Sequence, residues 1–155
     1  MEASRLGPRG PGLEPDPSGG RLAGWTPADP APLGLAAFAM TTFVLSVYNA
    51  NLVHAAGMPV VLGLALAYGG LAQLLAGMWE FRTGNTFGAV AFSSFGAFWI
   101  SFFILIQFIA PTIPKADLEN ALAVYLYGWG IFTAYMFIAS LRTTGLSCWC
   151  SYCSR

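Results

Sequence analysis

Charge is scarce in this 155-residue chain: 9% of residues are Asp, Glu, Lys or Arg, and 56% are hydrophobic. Soluble domains carry about 25% charged residues, so too few charges are present to coat a water-facing surface of this size. Between Leu33 and Leu141 the ionisable residues of the Asp/Glu/Lys/Arg/His kind are His54, Glu80, Arg82, Lys115, Asp117 and Glu119. All lie between apolar runs or at their edges, as expected where a charge at mid-bilayer is costly. Cysteine is absent until Cys148, and Cys150 and Cys153 complete the set. That clustering excludes a disulfide framework spread through the fold. The formal net charge is zero, which excludes a basic nucleic-acid surface. There is no phosphate-cradling glycine loop and no HExxH helix, so no cofactor or metal is expected. Nor is there a nucleophile–base set, so an enzyme is not expected.

Four long apolar segments fill the middle of the chain, at about residues 33–53, 60–78, 86–110 and 120–141. Pro59 opens the second at a position where a helix tolerates proline, and Pro111 closes the third. About 20 helical residues cross a bilayer core. The helices of a soluble bundle would show polar stripes on their outer faces, and these segments show none. The expectation is an all-α fold, a polytopic transmembrane helix bundle with four spanning helices.

Residues 1–30 contain six prolines and six glycines, which predicts a disordered leader. Arg5 and Arg9 are followed by Pro and Gly rather than an apolar run, so this is not a signal peptide. Residues 143–155 predict a short solvated tail. With four crossings, Arg5, Arg9, Arg21, Arg82, Arg142 and Arg155 fall on one side and Lys115 alone on the other. The positive-inside rule then puts both termini in the cytoplasm of a multi-pass cell-membrane protein.

Within the second segment Gly63, Ala67, Gly70, Gln73, Gly77 and Glu80 recur at spacings of three and four, giving roughly one helix face. Small residues let helices approach closely in lipid, so this face reads as packing before it reads as a site. Gln73 differs, because a mid-membrane amide needs protein or water partners. The first segment carries Thr41, Thr42, Ser46, Tyr48, Asn49 and Asn51, the third Ser93, Ser94 and Ser101, the fourth Tyr125, Tyr127 and Thr133. Hydroxyls can bond back to their own helix, and Asn49 and Asn51 can cap a helix end. Together these groups can also line a path of neutral hydrogen-bonding groups. Such a path suits a small, weakly held solute that leaves as readily as it binds. A weak carboxylic acid, water, ammonia and a small alcohol fit equally. His54 reads as an interfacial loop residue before a proton relay, and Glu80 and Arg82 as interfacial anchors or a local ion pair. Asp29, Pro30, Ala31, Pro32, Leu33, Gly34 and Leu35 carry helix-start chemistry: two prolines set the approach, and an acid faces the helix N-terminus.

The same string, DPAPLGL, resembles the NPAPLGL signature of the acetate uptake transporter family, of succinate–acetate permease or YaaH type. The likeness continues through FAMTT at Phe38–Thr42, YGGLAQLLAGMWEFRTGNTFG at Tyr68–Gly88, AFSSFGAFW at Ala91–Trp99 and VYLYGWGIFT at Val124–Thr133. In order and spacing it covers about residues 29–142. The resemblance implies a six-helix protomer, commonly a hexamer, that moves acetate and related short carboxylates with protons or as a channel. It implies that Asp29–Leu35 lie at the mouth of the path and bind the carboxylate or shape its arrival. It further implies that Phe38 and Phe95 form an apolar constriction, and that Thr41, Thr42, Asn49 and Gln73 are polar positions near the path. Asp29 stands where the signature has asparagine, and Phe95 where members often have tyrosine. The likeness stops near Arg142, where a fifth helix is expected, so the reading is of a truncated or frame-shifted product. The rival reading is a non-transporting membrane protein, an inactive remnant or a subunit partner of a full-length relative.

Overall fold

The computed structural model describes the backbone of residues 27–153 and the side chains of residues 27–142. Most of the expected leader, and the side chains of the expected tail, therefore lie outside the described residues. Four rods among the described residues are long and apolar enough to cross a membrane: Ala31–Asn49, Ala55–Thr83, Thr86–Thr112 and Lys115–Arg142.

Helix α1 spans Ala31–Asn49. Pro30 occupies the capping position, Pro32 lies in the first turn, and Asp29 Oδ1 accepts a hydrogen bond from the Ala31 N–H at 3.0 Å. The helix stops before the expected Val53 because Asn51 turns left-handed, at φ 54°, a conformation asparagine tolerates better than most residues. His54 follows in the connection, where its Nδ1 accepts from the Ala56 N–H at 3.2 Å and caps a short 3₁₀ turn, Ala55–Gly57.

The second rod is interrupted. Helix α2, Val60–Leu66, passes through a π turn, Ala67–Ala72, into helix α3, Gln73–Thr83. A π turn adds a residue to the repeat and rotates everything after it. The buried line accordingly runs Val61, Ala65, Gly69, then steps to Gly70, Gln73, Gly77 and Glu80. Gly63 and Ala67, expected on the packing face, are exposed. The rod continues past Met78 because Glu80 and Arg82 are good helix formers. It ends at Gly84, with φ 83°, a left-handed helix stop that suits glycine.

Asn85 caps helix α4, Thr86–Ile104, with Oδ1 accepting from the Gly88 N–H at 3.0 Å. Before Pro111 the α repeat gives way to a π turn, Leu105–Ile109, and a 3₁₀ turn, Ala110–Thr112. Proline has no N–H and its ring crowds the preceding turn, so the α pattern is not kept there. Helix α5 runs Lys115–Cys153. It begins earlier than the expected Asn120: Asp117 and Leu118 donate to the Pro114 carbonyl at 2.9 and 3.1 Å, and Asp117 suits the positive helix N-terminus. Its backbone also continues beyond Leu141, with Gly145 the only glycine or proline between Ser140 and Cys153.

The core is built from small residues. Ala37, Val61, Ala65, Ala76 and Ala89 are fully buried, with Phe92, Trp99 and Met136 filling the larger gaps. Lipid tails are as apolar as leucine, so helices associate here by close contact rather than by hiding from water. Helices α3 and α4 form the closest pair. A Cβ on Gly96 would lie 2.7 Å from the Leu74 nitrogen and 2.9 Å from the Gly70 oxygen. One on Gly77 would meet the backbone of Ser93 at 2.5 Å. By contrast α5 is held by α4, through rings and one polar tie. Tyr125 OH lies 2.7 Å from Ser101 Oγ and donates to the Phe98 carbonyl at 3.2 Å, a carbonyl that Ser101 also reaches at 2.8 Å.

This packing predicts the outcome of three substitutions. Gly96→Ala drives a methyl into backbone that cannot step aside, and it lowers stability by about 1–3 kcal/mol in detergent unfolding followed by tryptophan fluorescence. Gly128→Ala, with nothing within 4 Å, is neutral or stabilising by up to about 1 kcal/mol in the same assay. Tyr125→Phe removes the polar tie and costs about 0.6–1.7 kcal/mol, read as faster limited proteolysis in the α4–α5 connection.

Candidate functional site: an aromatic constriction and its polar flanks

Three helices bring phenylalanine rings to one level. Phe38 of α1 and Phe95 of α4 have ring centroids 5.2 Å apart, and Phe95 meets Phe132 of α5 at 5.4 Å, edge to face. Edge-to-face rings at these separations attract beyond simple burial. The aromatic seam continues between α4 and α5. Phe132 meets Trp129 at 5.5 Å, Trp129 meets Phe98 at 5.1 Å, and Phe98 stacks on Tyr125 at 6.1 Å. On α4 these rings fall at 95, 98 and 102, and on α5 at 125, 129 and 132, so each set keeps to one face.

Phe132 was not among the residues singled out from sequence. Its signal was the Tyr125–Trp129–Phe132–Met136 spacing, which matches the aromatic spacing on α4. Tyr127 and Thr133, proposed above for a polar path, do not belong to it. Tyr127 is 75% exposed on the outer side of α5, and Thr133 is exposed and donates to the Trp129 carbonyl at 2.8 Å.

The Asp29–Leu35 string starts α1 and seats it. Pro30 and Gly34 are buried, Ala31 is half-buried, and Asp29, Pro32, Leu33 and Leu35 are exposed. Gly34 lies against the Phe92 ring, where a Cβ would come within 2.7 Å. One turn later Phe38 meets Phe95, so the string and the constriction share one stripe of α1, packed on parallel turns of α4.

The polar positions divide. Thr41 is fully buried and donates to the Ala37 carbonyl at 2.9 Å. Thr42 is half-buried, and its hydroxyl oxygen is buried without a protein partner. Asn49 is exposed at the end of α1. Gln73 is 1% exposed, with neither amide atom paired. Ser93 Oγ and Trp99 Nε1 are likewise buried and unpaired. Glu80 departs from its expected place as an interfacial anchor. It is 1% exposed, with its carboxyl against Gly88 in the first turn of α4, whereas Arg82 is exposed. Among the described residues no group of three or more His, Cys, Asp or Glu is placed to hold a metal ion.

The arrangement brings apolar rings from three helices into contact at one level, a candidate narrowing for a small solute, and a ring of this kind can gate by excluding water. Relatives that share this sequence pattern include proteins named as permeases and symporters. The chain is 48% identical over 126 residues to acetate permease A of Emericella nidulans, a match covering 76% of this chain and 42% of that protein. It is 42% identical over 117 residues to the succinate-acetate/proton symporter SatP of Escherichia coli K12, covering 74% and 60%. The solved structure of the bacterial acetate channel SatP superposes with a TM-score of 0.67 at 39% identity, over 76% of this chain and 64% of that one. The chain thus spans about half the length of the curated relatives it matches. The GPR1/FUN34/yaaH family model matches residues 16–153, through the last described residue of α5, and the chain belongs to that family.

Proposed function

We propose that this chain is a membrane transport protein for acetate or a related short carboxylate such as succinate, proton-linked or channel-like, with the solute passing the Phe38–Phe95–Phe132 constriction. One observation carries the reading: three separate helices converge their rings at a single level, at 5.2 and 5.4 Å, with buried, unpaired neutral polar groups in the same bundle. A site that must release its solute does well without a fixed cation, which would grip a carboxylate. No lysine, arginine or histidine is buried among the described residues. Likeness to acetate permease A and to the succinate-acetate/proton symporter SatP supplies the solute class and the proton. In this reading Asp29–Leu35 shape the mouth of the path, and the exposed Asp29 carboxylate repels anions there. Both termini lie in the cytoplasm, by the distribution of arginine, and the protein assembles as a homo-oligomer, a hexamer by analogy with its family.

A second reading has one observation in its favour. The outer side of α5 is open, with Val124, Tyr127 and Ile131 each at least 70% exposed. That face would suit a non-transporting subunit that docks on a full-length relative.

Labelled acetate uptake in cells without other acetate carriers separates the two. Transport predicts uptake above an empty-vector control. Phe95→Ala, which widens the constriction, raises succinate uptake relative to acetate several-fold, while Phe95→Tyr leaves the ratio unchanged. Uptake at background, together with co-purification with a full-length relative, supports the subunit reading instead.

A further inference from the structure

Helix α4 has a second functional face. Phe95, Phe98 and Phe102 look toward α5, whereas Ser93, Gly96 and Ile100 lie against α3 and the π turn. Residues two apart on a helix differ by about 200°, so the two seams lie on opposite sides of α4. The seam toward α3 is the polar one. Along α3, Gln73, Gly77 and Glu80 follow one line, and Ser93 faces it across Gly77. Gln73 Oε1 and Nε2, Ser93 Oγ and Glu80 Oε1 are all buried without a protein partner. Glu80 Oε2 lies 3.2 Å from the Thr83 hydroxyl, whose single proton it shares with the Glu80 main-chain carbonyl at 3.0 Å. Every other charged or ionisable Asp, Glu, Lys, Arg or His among the described residues is exposed.

We propose that Glu80 is a proton-binding site, placed where the polar seam meets the α3–α4 connection. The inference rests on the transport reading for its purpose but not for its chemistry. A buried carboxyl oxygen without a partner needs a proton or water to satisfy it. In the step itself, Glu80 Oε1 accepts a proton from water at the α3–α4 connection, forming an O–H bond. It returns that proton to water at the same connection, and no electrons change hands.

Among the described residues, few charged groups lie on the elements packed against Glu80. The facing turn of α4, residues 85–89, is uncharged, and α1 carries no charge between Ala31 and Asn49, with Asp29 just ahead of it. On its own helix Arg82 lies two residues on, at the exposed side. The separation of the seams also gives each its own mutational signature, since ring substitutions at Phe95 act on solute choice and substitutions at Glu80 act on protons.

The test is pH-difference infrared spectroscopy on the purified full chain in detergent. The wild type shows the C=O stretch of a protonated, solvent-shielded carboxyl that appears and disappears with pH. Glu80→Gln loses that band, Glu80→Asp keeps it at a shifted frequency, and Thr83→Val shifts it by removing the hydroxyl donor. The Thr83 variant leaves the carboxyl in place and decides the matter if Glu80→Gln fails to fold. A band unchanged in Glu80→Gln, or unmoved in Thr83→Val, overturns the proposal. Absence of any acetate flux in the wild type, with the band lost in Glu80→Gln, removes the transport reading and leaves the proton site standing.

Discussion

The close approach of α3 to α4 is the contact on which the rest of the bundle depends. It is set by backbone meeting backbone, at Gly96 against Leu74 and Gly70 and at Gly77 against Ser93. In lipid, where no hydrophobic drive pulls helices together, such contact is what holds a pair. Because α3 occupies one side of α4 so closely, the opposite side is free to present rings to α1 and α5. The ring cluster is therefore a consequence of glycine on the far side of the same helix. The π turn at Ala67–Ala72 belongs to the same device, since it rotates the glycine-bearing half of the second rod toward α4.

The lipid also explains the exterior. Large apolar side chains such as Phe43, Leu52, Ile131 and Phe137 are exposed, which in water would be a severe liability and in a bilayer is ordinary. Backbone groups that a broken helix would leave unpaired are met locally, by π and 3₁₀ turns near Pro111 and by the Asn85 cap, as a membrane requires. Among the described residues, buried polar side chains find few partners, and the interior holds neutral groups and one buried carboxyl. A solute that binds weakly and a proton that binds reversibly both suit such an interior.

Much of the fold was legible from sequence because lipid imposes a length and a composition that four segments meet plainly. Their ends were less legible. Met78 looked terminal because charges follow it, yet Glu80 and Arg82 continue the helix and only Gly84 stops it. That error hid the character of Glu80, which reads as an anchor if the helix ends before it and as a buried group if the hairpin closes over it. The pairing of Phe38 with Phe95 came from family resemblance, since nothing in spacing alone joins residues 57 positions apart. Phe132 was legible in principle, through ring spacing shared by two antiparallel helices. Gln73 was legible from chemistry, because an amide in mid-membrane has to face inward. The π turn was not legible, because a run of Ala, Gly and Leu fits α and π repeats alike, and so Gly63 and Ala67 were placed on the wrong face.

The central claim is that the carboxylate passes the ring cluster between α1, α4 and α5. The most direct measurement places a cysteine there, Phe95→Cys, in a chain whose Cys148, Cys150 and Cys153 are replaced by serine, and follows its reaction with a small water-soluble thiol reagent in membranes. The account predicts that the thiol reacts from the aqueous phase and that acetate slows the reaction, whereas a neutral solute of similar size does not. A thiol that reacts at the same rate with and without acetate, or that never reacts, contradicts it.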